Sequence, residues 1–337
     1  MHYYAKRTIQ ALFTVFAVMT LSFVLIRYLP GGPVDHLRTQ LRQEQSGDID
    51  QEQINNLVEA YTNVNPEEPL WQQYVEYMVS LLQADLGESM WLSQPVADVL
   101  FPALPWTVFY MSVATFLMFL IGVALGSVMA YWEGSRFDVG STVISLLLNS
   151  TPNYIAALLL VYFLGYGFEL FPTRGRVNYD IAAGFSPEYL GSVLHHGALP
   201  IISIVITGFG GVALSMRGNS IQVLGEDYMR VARLRGLSER RIALRYVARN
   251  AILPMYTGLM IAFGFVFGGS IIIEEIFAYP GVGYYMFQAI ERGDYPVMMG
   301  AFLIITLGVV IAVFIADLTY GKIDPRAESG GEDSETY

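Results

Sequence analysis

Seven arginines fall between Glu226 and Pro254, in the stretch EDYMRVARLRGLSERRIALRYVARNAILP, within a chain whose formal net charge is −11. Guanidinium groups at this density serve three kinds of chemistry: gripping a phosphate backbone, pairing with carboxylates of another protein, or standing solvated on a loop. Other reactive residue types are few. The 337 residues include no cysteine, which removes disulfides, thiolate metal sites and cysteine nucleophiles and leaves the redox compartment open. His195 and His196 are adjacent, so their rings leave the backbone in different directions. With Glu188 as the nearest carboxylate in sequence, they read as interfacial residues rather than metal ligands. A serine hydrolase inside a membrane would need a serine and a histidine to converge there. Ser215 and Ser270 lie in apolar stretches, but the paired histidines do not. No phosphate-binding Gly-x-x-x-x-Gly-Lys-Ser/Thr occurs, because Gly321-Lys322 is followed by Ile323 and lacks the upstream glycine. The chain therefore reads as neither an enzyme nor an ATP binder.

The elements that must position these residues are greasy. Hydrophobic residues make up 54% of the chain and charged ones 15%, and the mean hydropathy is +0.44. That composition belongs to a membrane protein rather than a soluble domain, and stretches of helix-spanning length make an all-α membrane protein the expected fold class. Six stretches are long enough to cross a hydrocarbon core about 30 Å thick. They are residues 8–29, 106–132, 139–168, 198–216, 253–273 and 297–318. The first follows Lys6 and Arg7 as a signal peptide would, but its apolar run is too long and RYLPGGP offers no small-residue cleavage site. It is expected to remain as the first span.

Six spans place segments 1–7, 133–138, 217–252 and 319–337 on one side of the membrane. That side carries 13 Lys or Arg, whereas segments 30–105, 169–197 and 274–296 carry 5. Positive charge is retained in the cytosol. Both termini and the arginine-rich stretch are thus expected to be cytoplasmic. The same side carries Glu133, Asp138, Glu226, Asp227, Glu239, Asp324 and the acidic tail 324–337. A nucleic-acid surface needs cations in large net excess, so no nucleic-acid partner is expected.

Local signals separate a designed loop from one that merely carries charge. Glu226 and Asp227 suit a helix N-terminus, Tyr228–Arg235 has no breaker, and Gly236 sits where a helix ends in a left-handed residue. Ser238 then starts a second helix through about Asn250. Val231, Leu234, Leu237, Ile242 and Val247 lie among the arginines, so this helix-bend-helix has an apolar side to bury.

The stretch YMRVARLRGLSERRIALRYVARNAILP resembles the cytoplasmic loop of binding-protein-dependent ABC importer permeases of the dipeptide/oligopeptide/nickel branch. The likeness extends through QALFTVFAVMTLSFVLIRYLPGGP, EEPLWQQYVEYMVSLLQADLGES, QPVADVL, FPTRG, IFAYPGVGYYMFQAIERGDYPVMMGAFL and the DPR at 324–326. The general motif of such permeases opens on Glu-Ala-Ala, where this chain has Arg230, Val231 and Ala232. Ala232, Gly236 and the closing Ile252-Leu253-Pro254 match it. The 17 residues between Gly236 and Pro254 form a longer spacing that is similar to the peptide branch.

The resemblance implies an ABC importer permease fold with a coupling loop at 217–252, between spans four and five. The family inserts this bend into a groove of a cytoplasmic ATPase. Arg230, Ala232, Gly236, Leu237, Ser238, Glu239, Arg240, Arg241 and Pro254 are the coupling residues it implies, with Arg240 and Arg241 expected to meet ATPase carboxylates. The implied partners are a second homologous permease, two ATPase subunits that bind the ATP and Mg, and an external substrate-binding protein. No cofactor is expected in this chain. The implied setting is a prokaryotic plasma membrane, crossed several times and in contact with lipid, and the implied substrate is a dipeptide or oligopeptide. Nickel or an oligosaccharide is the alternative within the family, and an ATP-independent secondary transporter the alternative outside it.

The domain reading that follows is a first span with its N-terminal tip at 1–29, an extracytoplasmic segment at 30–105, a core permease domain at 106–323 and the tail at 324–337. Asn149, Ser150, Pro152 and Asn153 interrupt the third span. Polar and breaker residues at membrane depth are tolerated against protein or a water-filled cavity, so Asn149, Ser150 and Asn153 are candidates for the translocation path. No Asp, Glu, Lys or Arg sits at the centre of a span, which argues against a proton relay. The segment 30–105 carries 12 acidic residues against two arginines, and WQQYVEYMVSLLQADLG has the spacing of an amphipathic helix. Across the chain 17 Arg stand beside only 2 Lys, a balance that resembles proteins of high-salt environments, where salt screens self-repulsion.

Overall fold

The computed structural model describes residues 3–28, 51–62, 65, 68–238 and 241–323. Among them the chain is helical, with one isolated β-bridge between Glu88 and Pro95. The expectations for Glu239, Arg240 and the tail 324–337 lie outside these residues.

Helix α1 is Tyr3–Tyr28, α2 is Gln51–Thr62 and α3 is Leu70–Leu82. Helix α4, Val96–Tyr131, begins ten residues before the apolar run that announces it, because Pro102 and Pro105 are absorbed without ending it. Helices α5 (Arg136–Asn149) and α6 (Asn153–Leu160, continued by a π-helical turn Val161–Gly167) make up the third apolar stretch. Helix α7, Pro187–Leu224, starts at the Ser186 cap, where Ser186 Oγ accepts the Tyr189 N–H. Helix α8 is Asp227–Leu234, and α9 combines a π-helical turn Ile242–Val247 with Ala248–Ala251. Helix α10 is Leu253–Phe265, α11 is Ile271–Ile276, α12 is Val282–Arg292 and α13 is Tyr295–Ile323.

Five helical stretches are long and apolar enough to cross a membrane. The pair α5 and α6 passes the same measure together but bends by 91°, which gives six crossings if the pair is one. The third apolar stretch is therefore sharply bent rather than a straight span. The break has a local cause: Pro152 lacks an N–H and keeps Thr151 from continuing the helix. Ser150 Oγ donates to the Leu146 carbonyl at 2.8 Å and Thr151 Oγ1 to the Leu147 carbonyl at 3.0 Å, so the freed end of α5 is partly satisfied from its own side chains.

The described residues form two compact units. The first takes the chain up to Val108, Phe267–Glu275 and Tyr279–Leu318. Its core sets Val96, Val99, Leu100 and Ala103 of α4 against Val282 and Ala289 of α12 and Val297, Ala301 and Ile304 of α13. Two buried carboxylates organise the connections around this core. Asp294 accepts the Ser89 hydroxyl at 2.6 Å and the Trp91 N–H at 3.0 Å through Oδ2, and the Val297 N–H at 3.3 Å through Oδ1, so it caps α13 and holds the 89–92 turn. Glu274, fully buried, accepts the Thr107 hydroxyl at 2.9 Å and the Tyr284 N–H at 2.9 Å, while Thr107 accepts the Val282 N–H. In the same unit, Tyr74 and Tyr77 of α3 pack on Phe23 of α1. Burial pushes the Tyr77 phenol up to about 12.

The second unit takes Phe109–Val266, Ile276–Ala278 and the last residues of α13. Helix α7 runs through it with half of its apolar window buried, more than any other spanning helix, and both α5 and α6 pack on it. Close approach rests on small residues: a Cβ at Gly210 would overlap the backbone of Ser145 in α5.

Candidate functional site

The arginine-rich loop folds as its residue types dictate. Glu226 occupies the N-cap position of α8, Arg235 follows the last helical residue, and Gly236 takes φ +70°, the left-handed conformation that ends the helix. Beyond its chain neighbours, no heavy atom of the described residues lies within 4 Å of where a Gly236 Cβ would stand, so the demand for glycine there is conformational and not steric. The Gly236 N–H bonds the Arg233 carbonyl at 2.9 Å and the Leu237 N–H the Ala232 carbonyl at 3.4 Å, which closes the turn. The Ser238 carbonyl then accepts from the Arg241 and Ile242 N–H groups, beginning α9.

Burial divides the apolar residues of this loop. Met229, Ala232, Ile242 and Val247 form a small core, joined by partly buried Leu237, Val223, Leu224 and Tyr246. Val231 and Leu234 do not join it: they are 53% and 81% exposed. Sequence reasoning assigned both to the buried side. The eight-residue helix presents two flanks, and the core takes only the one bearing Met229 and Ala232. What remains outward is a mixed surface of Val231 and Leu234 beside Arg230, Arg233 and Arg235, all exposed. Arg241 is exposed as well, and Pro254 is exposed at the start of α10.

The loop is anchored to the spanning helices at two places. Met216 of α7 packs with Ala251 of α9 and Met255 of α10, and Asn219 Nδ2 donates to the Ala251 carbonyl at 3.2 Å. Between these two anchors in α7, Arg217 forms a bidentate pair with Asp138, Nε to Oδ1 at 2.5 Å and Nη2 to Oδ2 at 2.7 Å. Asp138 also accepts the Gly134 N–H at 3.0 Å. Sequence reading passed over this pair because the two residues are 79 positions apart. The signal available was an acid and a base each placed at the end of an apolar run.

At the broken span, Asn149 and Ser150 are exposed and Asn153 is half-buried at the first turn of α6. The Asn149 side-chain oxygen occupies the space that a Gly211 side chain would take, so the polar break lies against α7. Beyond α6 a cavity of about 800 Å³ opens, with Glu169, Arg174, Asp180, Tyr166, His195 and His196 in its wall. His195 Nε2 lies 2.9 Å from the Leu170 carbonyl and His196 Nδ1 2.9 Å from the Ser192 carbonyl. Among the described residues no group of three or more His, Cys, Asp or Glu has the placement of a metal site.

Among the described residues, apolar helices of spanning length, one pair of them bent at a polar turn, and an arginine-rich helix-bend-helix fit a membrane permease. The family model described as binding-protein-dependent transport system inner membrane component matches residues 122–329, and the chain belongs to this family, the membrane permease subunits of ABC importers, in which the ATPase is a separate subunit. It is 31% identical over 329 residues to the oligopeptide transport system permease protein AppB of Bacillus subtilis, covering 97% of this chain and 99% of that protein. It is 32% identical over 326 residues to the di/tripeptide transport system permease protein DppB of Pseudomonas aeruginosa, covering 93% and 94%. The inner membrane ABC transporter permease protein YejB of Escherichia coli O157:H7 is 28% identical over 365 residues.

Proposed function

We propose that this chain is one of two permease subunits in an ATP-driven importer of short peptides, and that the bend at Gly236 transmits ATPase movement to the spanning helices. The observation that carries the second half of the reading is the surface of α8. Two apolar side chains are left exposed among arginines on a helix whose other face is packed, while the loop is tied to α7, α9 and α10 through Met216, Asn219 and Met255. A surface of this kind fits a partner groove that buries Val231 and Leu234 and offers carboxylates to the guanidinium forks. Movement of that partner would reach the membrane through packed contacts as a rigid-body switch.

The peptide substrate is supported by the relatives, whose names specify oligopeptide and di/tripeptide transport. The cavity beside α6 agrees with it, since Arg174 on one hand and Glu169 and Asp180 on the other suit the two charged ends of a peptide. In this reading the loop and both termini face the cytosol of a prokaryotic cell, a related permease completes the pathway, two ATPases bind the ATP and Mg, and an external binding protein delivers the peptide. Asn149, Ser150 and Asn153 line the path at the broken span. Nickel or a sugar remains the competing cargo. The acidic balance of the chain supports a high-salt setting, and an uptake maximum at low salt would speak against it. The direct test is uptake of a labelled di- or tripeptide into vesicles holding the reconstituted transporter, with and without ATP. Uptake that needs ATP and is competed by unlabelled peptide but not by nickel or oligosaccharide supports the reading. Uptake indifferent to ATP, or competed only by another cargo, overturns it.

A further inference from the structure

Helix α3 has more apolar surface than its protein contacts use. Tyr74, Tyr77 and Leu81 face the rest of the unit, packing on Phe23 of α1, with Phe23 to Tyr74 ring centroids at 5.4 Å and Phe23 to Tyr77 at 5.7 Å. The Thr20 and Tyr74 hydroxyls are hydrogen-bonded at 2.8 Å. Next to this packed side lies a second apolar strip of Trp71, Val75, Val79 and Leu82, 69%, 51%, 46% and 78% exposed. At about 100° per residue these four fall within about 80° of the helix circumference. Gln72, Glu76 and Ser80 take the remaining side. The helix thus has three sides rather than two: one for protein, one polar, and one apolar that no described residue covers.

The position of the contact with α1 says what covers the third side. The described residues of α1 meet the requirement for crossing a membrane over Ala5–Leu25, and the apolar run in the sequence continues to Ile26. Thr20 and Phe23 lie six and three residues before Ile26, which at 1.5 Å per residue is about 5 to 9 Å below the end of the apolar run. This is the depth at which amphipathic helices rest in a bilayer surface. On the same length of α1, Leu21 and Val24 are exposed too, so apolar side chains of the spanning helix are themselves open to lipid at this level. Trp71, an aromatic residue with a polar N–H, is of the type that settles at the lipid headgroup level.

We infer that α3 is an interfacial helix: it lies in the headgroup boundary of the leaflet that receives the C-terminal end of α1, with Trp71, Val75, Val79 and Leu82 in lipid and Gln72, Glu76 and Ser80 in water. The occupant of the exposed strip is phospholipid acyl chain, not a protein partner. The helix then fixes the depth of α1 by adding a flat anchor to a spanning one.

The absence of native cysteine makes the test direct. Spin labels are placed one at a time at Trp71→Cys, Val75→Cys, Leu82→Cys and, as the water-facing reference, Glu76→Cys, all exposed positions that leave the packing on α1 intact. The full transporter complex is reconstituted in nanodiscs of mixed phosphatidylethanolamine and phosphatidylglycerol, with the unsubstituted complex labelled in parallel as background. Collision with oxygen, which concentrates in lipid, is compared with collision with a water-soluble nickel chelate. The expected result is an oxygen-to-nickel ratio several-fold higher at 71, 75 and 82 than at 76. Equal nickel access at all four positions would place the strip in water and overturn the inference. Protection of 71, 75 and 82 from both agents would show a protein covering the strip and overturn it equally. Neither result bears on whether the transporter carries peptides.

Discussion

Arg217 holds Asp138 through both carboxylate oxygens, at 2.5 and 2.7 Å, and Asp138 is almost wholly buried while Arg217 keeps partial access to solvent. The pair fastens the start of α5 to α7 seven residues before α7 ends at Leu224. Removing the guanidinium strands a buried carboxylate, which is worse than removing both partners. Arg217→Ala is expected to destabilise the purified protein by about 2 kcal/mol, read as a lowered unfolding temperature in detergent. The double variant Asp138→Asn with Arg217→Ala is expected to lose less than the two single losses added together. Strict additivity would show that the pair is not coupled.

Gly210 faces the Ser145 backbone with no room for a side chain. Gly210→Val should force α5 away from α7 and cost about 1–3 kcal/mol by overpacking. The same change at Gly258, which has open space around it, is the control and should cost distinctly less. Thermal unfolding of the two variants side by side checks this.

Glu274 receives the Thr107 hydroxyl and the Tyr284 N–H inside the first unit. Glu274→Ala leaves both donors without that acceptor and should cost about 1–3 kcal/mol. Glu274→Gln keeps one acceptor oxygen and should be the milder change. If the two variants are equally stable, the carboxylate is not what holds the 281–284 turn.

Leu234 is the most exposed apolar side chain of α8. If a partner ATPase buries it, Leu234→Asp should weaken assembly roughly tenfold, the equivalent of a lost leucine contact. The variant chain alone should unfold at the wild-type temperature, because Leu234 touches no core. Copurification of the ATPase across a detergent or salt series reads the first effect, and thermal unfolding the second.

Much of this was legible in the sequence where local chemistry governs. Glu226, Gly236 and Ser238 located α8, its bend and the start of α9, because caps and left-handed glycines act within a few residues. Asn149 to Asn153 located the break in the third span for the same reason. The 91° bend was not legible, since a proline announces an interruption and not its angle. The beginning of α4 was missed because Pro102 and Pro105 look like stops, yet a helix that is otherwise satisfied tolerates two missing donors. The partners of Asp138 and Glu274 lie 79 and 167 residues away, and no local pattern encodes such a pairing. The outward face of α8 was misjudged because periodicity shows that apolar residues exist, not which of two flanks the fold will cover.

The account turns on Gly236. A residue with Cβ at its φ of +70° costs about 1 kcal/mol or more and would redirect the short helix it terminates. The decisive measurement is ATP-dependent peptide uptake, with ATP hydrolysis followed in the same vesicles, for the wild-type transporter and for Gly236→Val at matched levels of assembled complex. The account predicts that uptake falls steeply and that hydrolysis no longer responds to peptide while the subunits still copurify. Wild-type uptake by Gly236→Val would contradict it, and the arginines around the bend would then be no more than retained positive charge.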